Sequence, residues 1–249
     1  MKSVIFGPLF FLLLTCLPSP LQAAETKGEG TWWTRDETIL TATLLTAGGM
    51  AFLADEEIRK GVQRSQSGSL NSFADGAGML GSPPVTVATG AMWYAWGRLA
   101  ADEYQAETGM LATQAVIVAG AATLALKYGA GRDRPNEEDG AQSFRPVDFE
   151  KGYDDALPSA HTSGAFALAA VMSRRSESAW APHLWYGMAT IVGVSRIYQD
   201  EHWTSDVLLG ALIGELAGRW ALRPKNPAAP SVTLRPLTQG ACAEIVFRW

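Results

Sequence analysis

An all-α helical bundle is the fold this sequence predicts, and three observations predict it. Six apolar segments, at residues 38–54, 84–99, 110–126, 163–172, 184–194 and 207–222, have helical length and are rich in Ala and Leu, both strong helix formers. No run alternates apolar and polar residues in the manner of a half-buried strand before residue 230. The connections between the segments are rich in Gly, Ser, Pro and Asn, residues that punctuate helices rather than extend them.

Taken in order, residues 1–24 read as an export signal. Lys2 supplies the positive start, "VIFGPLFFLLLTCL" the apolar stretch, and "LQAAE" the small residues for cleavage near Ala23 or Ala24. An uncleaved anchor is the competing reading, weakened by Pro8, Pro18 and Pro20. Cys16 follows Thr15, a poor context for lipidation. The expected address is therefore periplasmic or otherwise extracytoplasmic, soluble or associated with the inner membrane. Trp32 and Trp33 in the polar stretch that follows suit either a membrane interface or ordinary packing.

Residues 31–223 form the expected domain. Within it "RSQSGSLNSFADGAG" (64–78) reads as a loop, and residues 129–161 as a second, long irregular section dense in charge. No apolar segment is both long and clean: 110–126 includes Gln114, 207–222 carries Glu215, and 84–99 ends at Arg98. The segments are accordingly read as a water-soluble bundle rather than membrane spans. Residues 224–249 are a Pro-rich linker and short C-terminal tail, with a hairpin expected around "TQGA".

Composition excludes several functions. Twenty Lys and Arg against 25 Asp and Glu give a net charge of −5, with no basic run, so nucleic acid is not a partner. Cys16 and Cys242 are the only cysteines, and removal of the signal leaves one. An internal disulfide and a cysteine-based zinc site are then both impossible.

Three polar clusters border the apolar segments. They are "KYGAGRDRP" with Lys127, Arg132 and Arg134; "LPSAHTSG" with Ser159 and His161; and "SRIYQDEHWTSD" with Arg196, His202 and Asp206. Several cations, two histidines, a hydroxyl and a carboxylate suit a tetrahedral oxyanion. A phosphoryl group needs its oxygens held by preorganised donors, and arginine offers a planar fork to them. A neutral imidazole can attack through one ring nitrogen while an acceptor holds the other. His202 and Asp206 are four apart and would share a face if that stretch were helical. A second histidine fits the proton donor that a leaving alkoxide requires. No metal is needed. His183 in "WAPHLW" reads as a packing or surface residue, Asp200 and Glu201 as solvated or supporting charges, and "NEED" (136–139) as a solvated loop.

With these residues in place, the sequence resembles the superfamily of type 2 phosphatidic acid phosphatases (PAP2), class A acid phosphatases and vanadium-dependent haloperoxidases. Its signature is K-x6-RP, then PSGH, then SR-x5-H-x3-D. Lys127 precedes Arg134-Pro135 by six residues, and Ser195-Arg196 leads to His202 and Asp206 at the required spacings. The resemblance implies a helical bundle with its active site at one end and a metal-independent phosphatase needing no cofactor. Lys127, Arg134, Ser159, Ala160 (through its backbone N–H) and Arg196 would bind phosphate. His202 would form a phosphohistidine, Asp206 would orient it, and His161 would protonate the leaving group. Arg132 lies outside the motif and receives no role. Vanadate is expected as an inhibitor and phosphate mimic. The substrate would be a phosphate ester, either a phospholipid with membrane association or a small soluble compound. The alternatives are a vanadate-dependent haloperoxidase and a non-catalytic binder of phosphate or lipid. One departure from the signature matters: Ala160 stands where the family has Gly, so a positive φ there would be strained.

Overall fold

The computed structural model describes residues 33–137, 139–147 and 155–224, with the backbone of two short strands beyond them. The export signal, Trp32, part of the "NEED" patch, the Pro-rich linker and the "TQGA" turn lie outside the described residues. Seven α-helices run through the described chain: α1 (Arg35–Gln63), α2 (Gly68–Leu80), α3 (Pro83–Leu99), α4 (Glu103–Ala130), α5 (Ala160–Arg174), α6 (Ala181–Tyr198) and α7 (Thr204–Ala221). Strands β1 (Leu234–Pro236) and β2 (Ala243–Ile245) pair antiparallel, flanking the expected turn.

Local chemistry sets several of the boundaries. Thr34 and Glu37 form a reciprocal capping box at the start of α1, the Thr34 N–H donating to Glu37 at 2.8 Å and the Glu37 N–H to the Thr34 hydroxyl at 3.2 Å. Asp102 caps α4 by accepting from the Gln105 N–H at 3.0 Å. Proline in the first turn opens α3 and α6. Gly131 ends α4 at φ +59°, and an added Cβ there would lie 1.9 Å from the Arg145 carbonyl oxygen. Only glycine fits that turn.

The bundle is organised around α5. Every residue from Thr162 to Ser173 is buried, because α4, α6 and α7 enclose this helix. A helix covered on all sides carries no charged face, which explains its run of Ala, Gly and small hydroxyl residues interspersed with Phe166, Leu168, Val171 and Met172. The main core joins Ala112, Ala115 and Ala119 of α4 to Ala167, Leu168 and Val171 of α5 and Ala217 and Ala221 of α7. Helix α1 lies on α7, α3 on α4, and α2 on α6.

One expectation changes. The stretch read as a loop at 64–78 is mostly helix α2. Its Gly, Ser and Asn residues argue against a helix, but Ala74, Ala77 and Gly78 bury one side against the bundle, and packing overrides propensity. Two helices bear on the expectation of a water-soluble bundle. Helices α1 and α4 are long and apolar enough to cross a membrane, by length and composition. Of their most apolar stretches only 22% and 44% is buried, so much of their apolar surface faces outward.

Candidate active site

The up-and-down order of the last four helices brings the three sequence clusters to one end. Lys127 sits in the last turn of α4 and Arg196 in the last turn of α6, while α5 and α7 begin there. Helix N-termini present unpaired N–H groups and a partial positive charge, so two of them converge on the end that carries the cations.

His202 lies in the short loop between α6 and α7 and is buried. Its Nδ1 is 2.7 Å from the Ala156 carbonyl oxygen. A carbonyl only accepts, so Nδ1 carries the proton and Nε2 keeps its lone pair. Burial, then the charges of Lys127, Arg134 and Arg196, hold the imidazole well below its usual pKa. It is therefore neutral at pH 7, the form able to act as a nucleophile.

The expected hydrogen bond between His202 and Asp206 is not formed. Nδ1 stands 3.9 Å from Asp206 Oδ2, too far for one, because His202 precedes the helix rather than lying within it. Asp206 instead accepts from the Trp203 N–H at 2.8 Å and from Arg132 Nη1 at 2.5 Å. It thus shapes the loop that carries His202.

His161, in the first turn of α5, is pushed down to about 4 by burial, followed by Arg196, Arg134 and Lys127. The same three cations act on both histidines, which places both in one cationic site. Ser159 is the N-cap of α5: its hydroxyl accepts from the Thr162 N–H at 3.4 Å and the Thr162 hydroxyl at 3.0 Å, keeping its own proton to donate. Ala160 is the first residue of α5 and is absent from the positive-φ positions. The strain anticipated for alanine does not arise, and its N–H belongs to the unpaired first turn.

Lys127 donates to the Asp155 carbonyl, and Arg134 pairs with Glu201. Arg196 donates to Gln199 at 2.6 Å, and its Nε is buried with no hydrogen-bond partner among the described residues. A buried guanidinium donor without an acceptor suits an arriving oxyanion. Among the described residues, no three His, Cys, Asp or Glu side chains gather as metal ligands would.

Two buried residues that sequence reasoning passed over hold this end together. Arg132 is fully buried and donates to Asp55 at 2.8 Å, to Ser205 at 2.7 Å, to the Ala141 carbonyl and to Asp206. Its guanidinium lies 4.8 Å from the Phe52 ring, 5.4 Å from Trp203 and 5.6 Å from Phe144. Asp55, from α1, also accepts from the Ser205 hydroxyl at 2.5 Å and the Ser205 N–H at 3.1 Å. Burial, with Asp55 nearby, raises Asp206 to about 6 despite Arg132. The only signal for Arg132 in the sequence is its place inside the K-x6-RP spacer; Asp55 has none.

Asp200 adopts a left-handed turn at φ +60°, a conformation that aspartate tolerates. Arg59 of α1 grips its carboxylate twice, at 2.7 and 2.6 Å, so it is a supporting charge rather than a solvated one.

Residues 108–227 match the PAP2 superfamily family model. A lipid A 1-phosphatase of Porphyromonas gingivalis is 29% identical over 182 residues. That alignment covers 70% of this chain and 36% of the relative, so the chain spans little more than a third of the relative's length. Two crystal structures share the fold. LpxE of Aquifex aeolicus has a TM-score of 0.54 at 21% identity, covering 68% of this chain and 94% of LpxE. A transmembrane PAP2-type phosphatidylglycerolphosphate phosphatase of Bacillus subtilis has a TM-score of 0.56 at 20% identity, covering 76% and 94%.

Proposed function

The chain belongs to the PAP2 superfamily, and on that premise we propose that it is a lipid phosphate phosphatase working through a phosphohistidine. The observation that carries the proposal is His202, neutral and tautomerically fixed by the Ala156 carbonyl beside Lys127, Arg134 and Arg196.

In this reading the three cations, the Ser159 hydroxyl and the Ala160 N–H hold the non-bridging oxygens. Nε2 of His202 attacks phosphorus, and the bond to the leaving oxygen breaks as that oxygen takes a proton from His161. His161 is neutral in the empty site. The negative charge of the bound phosphate offsets the cations that depress it, so substrate arrival restores its hold on a proton. His161 then takes a proton from water, whose oxygen attacks phosphorus and releases His202 and inorganic phosphate. The imidazolium formed at His202 is stabilised by Asp206, 3.9 Å away. All of the steps use side chains, with no metal ion.

Two kinds of support favour a lipid substrate over a soluble ester. The relatives' names specify lipid A and phosphatidylglycerolphosphate, both lipid phosphates. The outer surface of the bundle is apolar where a bilayer would lie: Leu45, Met50 and Leu53 of α1, and Leu70, Phe73 and Met79 of α2, are exposed. With the export signal read in residues 1–24, the site would face the extracytoplasmic side of the membrane.

The test is phosphate release in detergent with EDTA, from a panel of lipid phosphates and from p-nitrophenyl phosphate, by wild type and His202→Ala. Turnover from a lipid phosphate that orthovanadate inhibits and His202→Ala abolishes supports the reading. Turnover that persists in His202→Ala overturns the phosphohistidine step, and faster turnover of the soluble ester than of any lipid overturns the substrate class.

A further inference from the structure

We propose that Glu201 is a built-in competitor for phosphate, a carboxylate that bridges Arg134 and Arg196 in the empty site and must leave when substrate binds. The inference rests on the phosphatase reading above and adds a residue that the family signature leaves as an unspecified position.

The geometry is that of an anion already seated. Oε2 of Glu201 pairs with Arg134 Nη1 and lies 3.7 Å from Arg196 Nη2. One carboxylate oxygen thus joins the two guanidinium groups that would receive the phosphate. The backbone holds it there: the Glu201 N–H donates to the Arg196 carbonyl at 3.1 Å, and the next N–H, of His202, to the same oxygen at 3.3 Å. Immediately before it, the Asp200 turn is fixed by Arg59 and by Gln63 at 3.2 Å. The chain therefore delivers this carboxylate to the arginines beside the nucleophile.

The side chain can nonetheless leave. Glu201 keeps 29% of its side chain exposed, against 11% for Arg196. Rotation into solvent restores its hydration, whereas the arginines stay behind, and Arg196 Nε is still without an acceptor. A carboxylate carries one negative charge. A terminal phosphomonoester carries up to two and offers three oxygens to the cations, the Ser159 hydroxyl and the α5 N-terminus. Exchange favours the monoester, while a phosphodiester, with a single charge, gains little by displacing Glu201. The same carboxylate, returning to the arginines, helps expel inorganic phosphate after hydrolysis. Glu201 thus acts on specificity and on product release without touching the reacting bonds.

The experiment measures inhibition by inorganic phosphate and by orthovanadate, with KM and kcat, for the full chain in detergent. Wild type is compared with Glu201→Gln, Glu201→Asp and Asp75→Asn. Glu201→Gln is expected to bind both anions about three- to tenfold more tightly, with a lower KM and an unchanged or lower kcat. Glu201→Asp, which keeps the charge but shortens its reach, should fall between it and wild type, and it carries the test if Glu201→Gln does not fold. Asp75 accepts from Gln199 and removes the same charge near Arg196 without contacting either guanidinium, so its replacement should shift inhibition less. Unchanged or weaker anion binding in Glu201→Gln overturns the inference, as does an equal shift in Asp75→Asn, which would indicate a general field. Wild type that is neither inhibited by orthovanadate nor active on any ester sinks the phosphatase reading itself. Normal wild-type behaviour with an unshifted Glu201 variant sinks this inference alone.

Discussion

The active-site end of the bundle and its far end both bury carboxylate among arginines. At the far end Glu215 of α7 accepts from Arg174 at 2.5 Å, from Arg219 at 2.7 Å and from the Tyr186 hydroxyl at 2.6 Å. It ties three helices together with two arginines for one acid. At the site end Arg132 alone serves two acids, Asp55 and Asp206. The surplus of positive charge at the far end is partly exposed, and its polar atoms already have partners inside the protein. At the site end the surplus within the network is negative, and the buried Arg196 Nε, with no hydrogen-bond partner among the described residues, belongs to a separate set of cations just outside it. A buried ion pair is therefore not in itself a sign of chemistry. The sign is a buried guanidinium donor with no acceptor among the described residues, next to histidines kept neutral.

The largest effect expected from this contrast is on turnover. His202→Ala should lower kcat by about a thousandfold or more while leaving orthovanadate binding measurable, because the cations remain. Loss of binding in parallel would mean that His202 holds the site together rather than reacting in it.

Next in size is stability. Arg132→Met strands Asp55 and Asp206 without a cation and should destabilise the protein by about 3–5 kcal/mol, read from denaturant unfolding. Arg174→Met leaves Glu215 its bonds to Arg219 and Tyr186, so about 1–2 kcal/mol is expected, with activity retained. Equal losses at the two ends would erase the distinction between them.

A smaller effect concerns pH. His161 titrates at about 4 when folded against 6.5 when unfolded, and His202 is lowered in the same sense. Between pH 6.5 and 4 the unfolded chain takes up protons that the folded site refuses, so stability falls as pH falls through that window. Asp206, at about 6 folded against 3.8, works in the opposite direction between those values. Two histidines outweigh one carboxyl, and the thermal midpoint should drop between pH 7 and pH 5. Inorganic phosphate should reduce the drop, and His161→Asn should flatten it. At the far end burial is outweighed by Arg174 and Arg219, which hold Glu215 below 4.5, so its contribution is lost only at lower pH than this window.

The smallest effect is at Ala160. Restoring the family's glycine should change kcat/KM by less than about twofold and cost a few tenths of a kcal/mol at most, since the alanine is already helical and unstrained.

The same contrast explains what was legible in the sequence. Apolar runs gave six of the helices, because each buries a continuous face. Helix α2 was hidden, since its Gly-Ser-Asn composition disfavours a helix and only the neighbouring α6 makes it pay to form one. The site residues were readable by spacing, because Lys127 to Arg134 and Arg196 to Asp206 are local in the chain. The network behind them was not. Arg132 meets Asp55 across 77 residues, and nothing in a single sequence marks such a pair. Asp206 was expected against His202 but faces Arg132, because α7 begins at Thr204, two residues after His202, so the two do not share a helical face. Glu201 looked like a solvated charge until the fold set it between two arginines.

Helix α1 lies wholly outside the segment that matches the superfamily, yet it supplies Asp55 to the charge network and Arg59 to the turn before His202. The smallest exchangeable module is therefore larger than the recognisable one. A chimera that grafts residues 108–227 onto another leader would part Arg132 and Asp206 from their third partner and leave the loop that carries His202 without Arg59. Any segment that replaces α1 in such a graft has to bring an acid and an arginine to the same two points.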